Sequence, residues 1–185
     1  RDELIEKHWV QFLRDRKVAS VAPSTKFLVG RVLKRMDLRN AKVVIEYGPA
    51  EGVMTKPILS RLPADGRLVA VELNPGFAAT LRQQLDDPRL TIVQGSVTDI
   101  DKLVAPLGLP PADVIASGIP FSFLSPLERH HLLHKTVDLL GPKGRFVAYQ
   151  GTTHLVPLLK YHFKDVDADF EIRNLPPHFV FTGYK

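Results

Sequence analysis

With 185 residues, 44% of them hydrophobic and 24% charged, the chain has the makeup of one packed soluble domain, not of a disordered segment or a membrane bundle. It contains no cysteine, which excludes disulfides, thiolate nucleophiles and sulfur-ligated metals. A formal net charge of +5 favours anionic partners without choosing among nucleic acid, lipid headgroups and small phosphates.

In chain order, Leu4, Ile5, His8, Trp9, Phe12 and Leu13 form one apolar helical stripe, with Lys7, Arg14, Arg16 and Lys17 around or after it. Such a stripe suits a packed surface helix and a helix lying in a membrane interface alike. Ser24 is placed to cap a second helix, carrying Phe27, Leu28, Val32, Leu33 and Met36 and ending near Asn40. From residue 42 the pattern changes to short β-rich runs at 43–47, 68–72, 90–93, 112–116 and 146–149. Helical stretches at 52–62, 75–85 and 126–140, and a weak turn at 97–103, lie between them. Strands alternating with helices predict βαβ units and a largely parallel sheet. A helix over 155–163 then precedes two short strands, at 170–173 and 179–184, around Leu175-Pro176-Pro177. These are expected to pair antiparallel at one sheet edge. The fold expected is therefore α/β, doubly wound, with a mostly parallel seven-stranded sheet, an antiparallel edge and preceding N-terminal helices. It is read as a single domain over 1–185: helices in 1–40, a cofactor-binding core in 41–150, and a helix and strand pair in 151–185. No leader or membrane-spanning run is visible, so a cytoplasmic protein is expected.

In open parallel sheets ligands sit at the carboxyl ends of the strands. There, Val43-Val44-Ile45-Glu46-Tyr47 runs into Gly48-Pro49-Ala50-Glu51-Gly52, and a helical pattern begins at once. Glycine allows the positive dihedrals and close backbone approach a ligand needs, and Gly48 is expected to leave its space to that ligand. Glu72 ends the second strand, where an acid commonly accepts hydrogen bonds from ribose hydroxyls. The G-x-G-x-x-G spacing for a pyrophosphate is missing, which disfavours a dinucleotide.

Glu46 to Gly52 resembles the first motif of class I methyltransferases, E-x-G-x-[GA]-x-G. Glu72, Gly95-Ser96-Val97 and 139–145 follow as that family's ribose acid, adenine-flanking segment and turn into the fifth strand, so the resemblance covers 42–149. It implies S-adenosylmethionine as cofactor over Gly48, Pro49, Ala50 and Gly52. Glu46 would lie under the methionine portion, Glu72 and Leu73 at the ribose, Gly95, Ser96 and Val97 at the adenine, and Ser117 beside them. Asp99 is expected to cap the next helix rather than to touch ligand.

The loop after the fourth strand, Ser117-Gly118-Ile119-Pro120-Phe121, is similar to the N-x-P-[YF] loop of adenine dimethylases, with Ser117 and Gly118 replacing Asn and Leu. By that resemblance it faces the methyl group, and Ser117, Gly118, Pro120 and Phe121, with Tyr47 at the same edge, are the candidate catalytic residues. Tyr47 equally suits a packed ring. Over its whole length the chain looks like the bacterial phospholipid N-methyltransferases, through Val18-Ala19-Ser20-Val21-Ala22-Pro23-Ser24, Ser117-Gly118-Ile119-Pro120 and Arg173-Asn174-Leu175-Pro176-Pro177. These convert phosphatidylethanolamine stepwise to phosphatidylcholine. That resemblance implies a phospholipid partner at an anionic membrane surface on the inner face of the cell membrane, the N-terminal helices serving as membrane contact and substrate lid. Nucleic acid is disfavoured as a partner. Trp9, Ser24, His154, Lys160 and Arg173, with His178 flanking, are the candidates for the substrate and its phosphate. No metal is expected: His130, His131 and His134 read as a solvated helix face, although His130 and His134 share an i, i+4 spacing.

Overall fold

The computed structural model describes residues 25–185; Trp9, Ser24 and the first apolar stripe lie outside them. The first described helix, α1 (Thr25–Met36), buries Leu28, Val32, Leu33 and Met36 on one face. It stops short of Asn40 because Asp37 turns into the left-handed region (φ 47°, ψ 72°), leaving 38–40 as a separate single turn. A short polar side chain tolerates that region better than most L residues do.

The remaining elements are β1 (Val43–Tyr47), α2 (Thr55–Arg61), β2 (Arg67–Glu72), α3 (Pro75–Gln84), β3 (Leu90–Gln94), α4 (Ile100–Val104) and β4 (Ala112–Ser117). They continue with α5 (Pro126–Leu139), β5 (Leu140–Gln150), α6 (Val156–His162), β6 (Asp165–Glu171) and β7 (His178–Tyr184). The seven strands form one sheet in the order β3-β2-β1-β4-β5-β7-β6. β1 to β5 pair in parallel, whereas β7 runs antiparallel to both β5 and β6. Strand order reverses between β1 and β4, so the loops after these two strands flank the switch-point crevice.

Both faces are covered, and strand alternation assigns the side chains. Val43, Ile45 and Tyr47 join the core under α4, α5 and α6, with Ile100, Leu132, Leu133, Leu159 and Phe146. Val44 joins the core under α1 and α2, with Leu33, Met36 and Ile58. α5 starts at a reciprocal cap: Ser125 Oγ accepts from the Glu128 amide at 3.2 Å and the Glu128 carboxylate accepts from the Ser125 amide at 2.8 Å.

Two boundaries differ from expectation. Residues 139–145, expected as a turn, are largely drawn into β5, whose pairing with β4 jumps from Ala112–Leu140 to Val114–Arg145. The sixth strand, expected at 170–173, occupies Asp165–Glu171. Its alternate residues Asp167, Asp169 and Glu171 argue against a strand by composition. They are held by α1: Arg35 pairs with Asp169 and reaches Asp167 at 3.1 Å, and Arg31 reaches Glu171 at 2.8 Å. Arg173, with help from Arg31, pulls the Glu171 carboxyl down to about 2.

Candidate active site

β1 ends at Tyr47, and the chain turns through three positive dihedrals, Gly48 (φ 68°), Ala50 (φ 49°) and Gly52 (φ 86°), before α2. The Gly48 amide donates to Val71 O at 2.9 Å and the Gly52 amide to Pro49 O at 2.9 Å. Ala50, an L residue in a region that suits glycine, is fixed by Glu72: its amide donates to Glu72 Oε1 at 2.8 Å. The second oxygen of Glu72 accepts from the Asn74 amide at 2.9 Å, at the start of α3. Glu46 points to the opposite face from Tyr47 and accepts from Thr55 Oγ1 at 2.6 Å. Both carboxylates are buried at adjacent strand ends, each 2% exposed. A carboxylate offers about four lone-pair sites, so each can serve a ligand beside the donors named. These acceptors, around a turn of positive dihedrals, suit a ligand that donates from a diol and an ammonium, as S-adenosylmethionine can.

A Cβ at Gly48 would fall 2.7 Å from Ile119 Cγ2, so Gly48 makes room for the loop after β4. On the third-strand side the Gly95 amide donates to Glu72 O at 2.9 Å, and Ser96 Oγ lies 2.8 Å from Thr98 Oγ1. Val97 is packed into the core, and Leu73, just beyond Glu72, is exposed. Asp99 makes no side-chain cap to α4; Ser96 caps the preceding turn by accepting from the Thr98 amide.

The loop after β4 is shaped from outside. Ser117 is fully buried, its Oγ accepting from the Ile119 amide at 3.3 Å. Gly118 lies against Tyr149 so closely that a Cβ would fall 2.1 Å from the tyrosine oxygen. Gln150 Nε2 donates to Ile119 O at 2.7 Å, and its Oε1 accepts from the Phe121 amide at 3.5 Å. Arg129, on α5, donates through Nε to Phe121 O at 2.8 Å and Leu124 O at 2.9 Å. Pro120 is half-buried between these clamps. Phe121 packs edge-on to Phe146, with centroids 6.4 Å apart, and is 3% exposed.

Beside this loop lies a cavity of about 380 Å³ walled by Phe121, Arg129, His130, Gln150, His154 and Tyr161 among others. His154 is thus one of the expected candidates that this cavity brings next to the loop. Lys160 is exposed elsewhere on α6. Arg173 does not line this cavity: it binds Glu171 through two contacts of 2.8 Å and stacks over Phe27 at 4.4 Å. His178 contacts Pro176 O at 2.8 Å and Asn174.

Tyr47 is corrected as a catalytic candidate. It is fully buried, its hydroxyl lies 2.9 Å from Thr136 Oγ1, and burial pushes its ionisation up, so it stays a neutral packed phenol. Alternation with Glu46 carries the signal in the sequence: if Glu46 faces one side, Tyr47 faces the other. Tyr149, Gln150 and Arg129 were missed. The available cue was position alone, Tyr149 and Gln150 ending the strand beside β4 at the ligand edge.

Residues 11–103 match the family model of ribosomal RNA adenine dimethylases. An ornithine lipid N-methyltransferase from Singulisphaera acidiphila is 32% identical over 86% of this chain and 84% of its own length. A ribosomal RNA small subunit methyltransferase A from Thermosynechococcus vestitus is 30% identical over 57% of this chain but 37% of its own. Among solved structures, Burkholderia thailandensis 1,6-didemethyltoxoflavin-N1-methyltransferase, with bound S-adenosylhomocysteine, superposes with a TM-score of 0.75 at 22% identity. That match covers 98% of this chain and 87% of the other, and supports the fold.

Proposed function

Since the chain belongs to the ribosomal RNA adenine dimethylase family of S-adenosylmethionine-dependent class I methyltransferases, we propose that its own reaction is N-methylation of an amine-bearing membrane lipid, phosphatidylethanolamine and its methylated derivatives among them. The observation that carries this reading is the extent of the similarity to the ornithine lipid enzyme, 86% of this chain and 84% of that one. The Ser117-Gly118 step supports it by lacking the carboxamide of the adenine-type loop. The net charge of +5 supports work at an anionic surface, and no described helix is long and apolar enough to cross a membrane.

The cofactor supplies a methyl group on a sulfonium, which an unprotonated amine attacks in line. In this reading Glu72 holds the ribose, Glu46 serves the amino-acid end, and the 48–52 turn lies against the ligand. The loop 117–121, held by Tyr149, Gln150 and Arg129, keeps the amine aligned and dry, because orientation and exclusion of water lower the barrier more than a strong base would.

The test is labelled methyl transfer, run in parallel, to vesicles containing phosphatidylethanolamine or an ornithine lipid and to ribosomal RNA. Incorporation into lipid, increased by anionic lipid, is the expected result. Incorporation into RNA alone, falling steeply with salt, overturns the proposal.

A further inference from the structure

Next to the acceptor loop, α5 and α6 bring two histidines together. His130 Nδ1 lies 3.0 Å from His162 Nε2, and the ring of Tyr161 stands edge-on to His130 with centroids 5.4 Å apart. Two ring nitrogens at hydrogen-bond distance share one proton between them, since two N–H groups cannot face each other. Burial, with His130 and His134 nearby, holds His162 below the ordinary histidine range. Either ring can carry that hydrogen; in the tautomer that donates from Nδ1 of His130 to His162, Nε2 of His130 keeps a lone pair. The His130 ring lines the cavity that Phe121, Ser122 and Gln150 bound from the acceptor-loop side.

Resting on the lipid-amine reading above, we infer that His130, backed by His162, takes the proton that the acceptor ammonium must lose in this cavity before methylation. A lipid ammonium resembles that of lysine, with a pKa of about 10.4, so at pH 7.5 roughly one molecule in a thousand is free base. In the transfer an N–H bond of the ammonium breaks and its electron pair stays on nitrogen as the nucleophilic lone pair. A bond forms between the proton and His130 Nε2, and the imidazolium keeps Nδ1–H on His162 until it returns its extra proton to water. His130 is the catalytic residue here and His162 a positioning residue. The charged and titratable groups around the pair are Arg129 and His134 on α5, Tyr161 on α6, and His154 in the loop before α6. His134 is itself within 3.3 Å of Asp138, and Lys164 and Asp165 follow His162 into β6.

The experiment is the pH–rate profile for phosphatidylethanolamine or ornithine lipid in detergent micelles, with S-adenosylhomocysteine affinity and histidine ¹H–¹⁵N spectra as readouts independent of turnover. His130→Gln should lose about 100-fold in rate at pH 7.5, the scale of general-base catalysis, with cofactor affinity unchanged. Its rate should then climb about tenfold per pH unit towards the amine pKa, more steeply than the parent's, so the gap closes near pH 9.5. A folding defect would not be repaired that way. His162→Gln, which still accepts from Nδ1–H, should keep most of the rate that His162→Leu loses. The spectra should show His130 protonated on Nδ1. A parent active on lipid with His130→Gln tracking it across pH, or a His130 carrying its hydrogen on Nε2, overturns the inference and leaves the lipid reading standing. A parent that methylates no lipid amine overturns both.

Discussion

The loops after β1 and β4 stand on either side of the same crevice, but they owe their shapes to different causes. The 48–52 turn is shaped from within: three consecutive alternate residues carry positive dihedrals, and one acid, Glu72, ties the middle one down. The 117–121 loop is shaped from without: Gln150 and Arg129 grip its backbone, and Tyr149 lies against Gly118. A loop that shapes itself can hold a constant ligand, such as a cofactor, whatever its neighbours do. A loop gripped from β5 and α5 can change its shape by changes in residues outside it.

The largest expected effect breaks the acidic tie of the first loop. Glu72→Ala removes a buried carboxylate that accepts from the Ala50 and Asn74 amides and that, in the proposed reading, holds the ribose. Charge-assisted hydrogen bonds contribute about 1.5–3 kcal/mol each, so calorimetry with S-adenosylhomocysteine should show affinity lowered about 100-fold. Unchanged affinity in a folded variant would remove the cofactor from this turn.

The same difference explains what could be read in the sequence. Gly48, Gly52 and Glu72 were legible because the residues that need special dihedrals are the residues that make the turn, and their spacing is a local pattern. Tyr149, Gln150 and Arg129 were not, because nothing in a glutamine or an arginine near the end of an element tells which backbone carbonyl it will meet some thirty or eight residues away. The five parallel strands were legible from apolar runs covered on both faces. β6 was misplaced because its alternating aspartates deny a strand locally, and the Arg31 and Arg35 that make it acceptable sit more than a hundred residues earlier. Tyr47 was a matter of facing: its neighbour Glu46 turns to Thr55, and period two sent the ring to Thr136.

Gly118→Ala breaks the second loop by overcrowding it. The new Cβ would fall 2.1 Å from Tyr149 Oη and 2.3 Å from Cζ, so one group must move. Overpacking of this kind costs roughly 1–3 kcal/mol, and turnover should fall while cofactor affinity changes little. Adding Tyr149→Ala opens the space, and the double variant should be better than the sum of the two losses. Strict additivity in denaturation and turnover would mean that this contact does not shape the loop.

A smaller change tests the grip itself. Gln150→Ala loses the bond to Ile119 O at 2.7 Å and the longer one from the Phe121 amide. Neutral hydrogen bonds contribute about 1 kcal/mol each net, which predicts a methyl-transfer rate lowered about tenfold. S-adenosylhomocysteine affinity should stay within about twofold of the parent, since the 48–52 turn has no part in this bond. Equal losses in both measurements would mean that the two loops move as one.

The smallest effect is expected at Ala50, and its smallness is the point. An L residue in the left-handed region costs roughly 1–2 kcal/mol, which Ala50→Gly relieves. Against that, glycine adds unfolded-state freedom worth about 0.4–1 kcal/mol. The buried methyl group that is lost contributed about 0.8 kcal/mol. These contributions nearly cancel, so the variant should melt within about 4 °C of the parent, given the usual shift of 2–4 °C per kcal/mol for a chain of this size. The amide that donates to Glu72 remains, and cofactor affinity should hold. Gly52→Ala is the contrasting substitution, because at φ 86° its new Cβ falls 2.9 Å from Leu81 Cδ2 and strain and crowding act together. If Ala50→Gly proved as damaging as Gly52→Ala, the Ala50 side chain would be holding the turn against its surroundings. The first loop would then be built from without, as the second is.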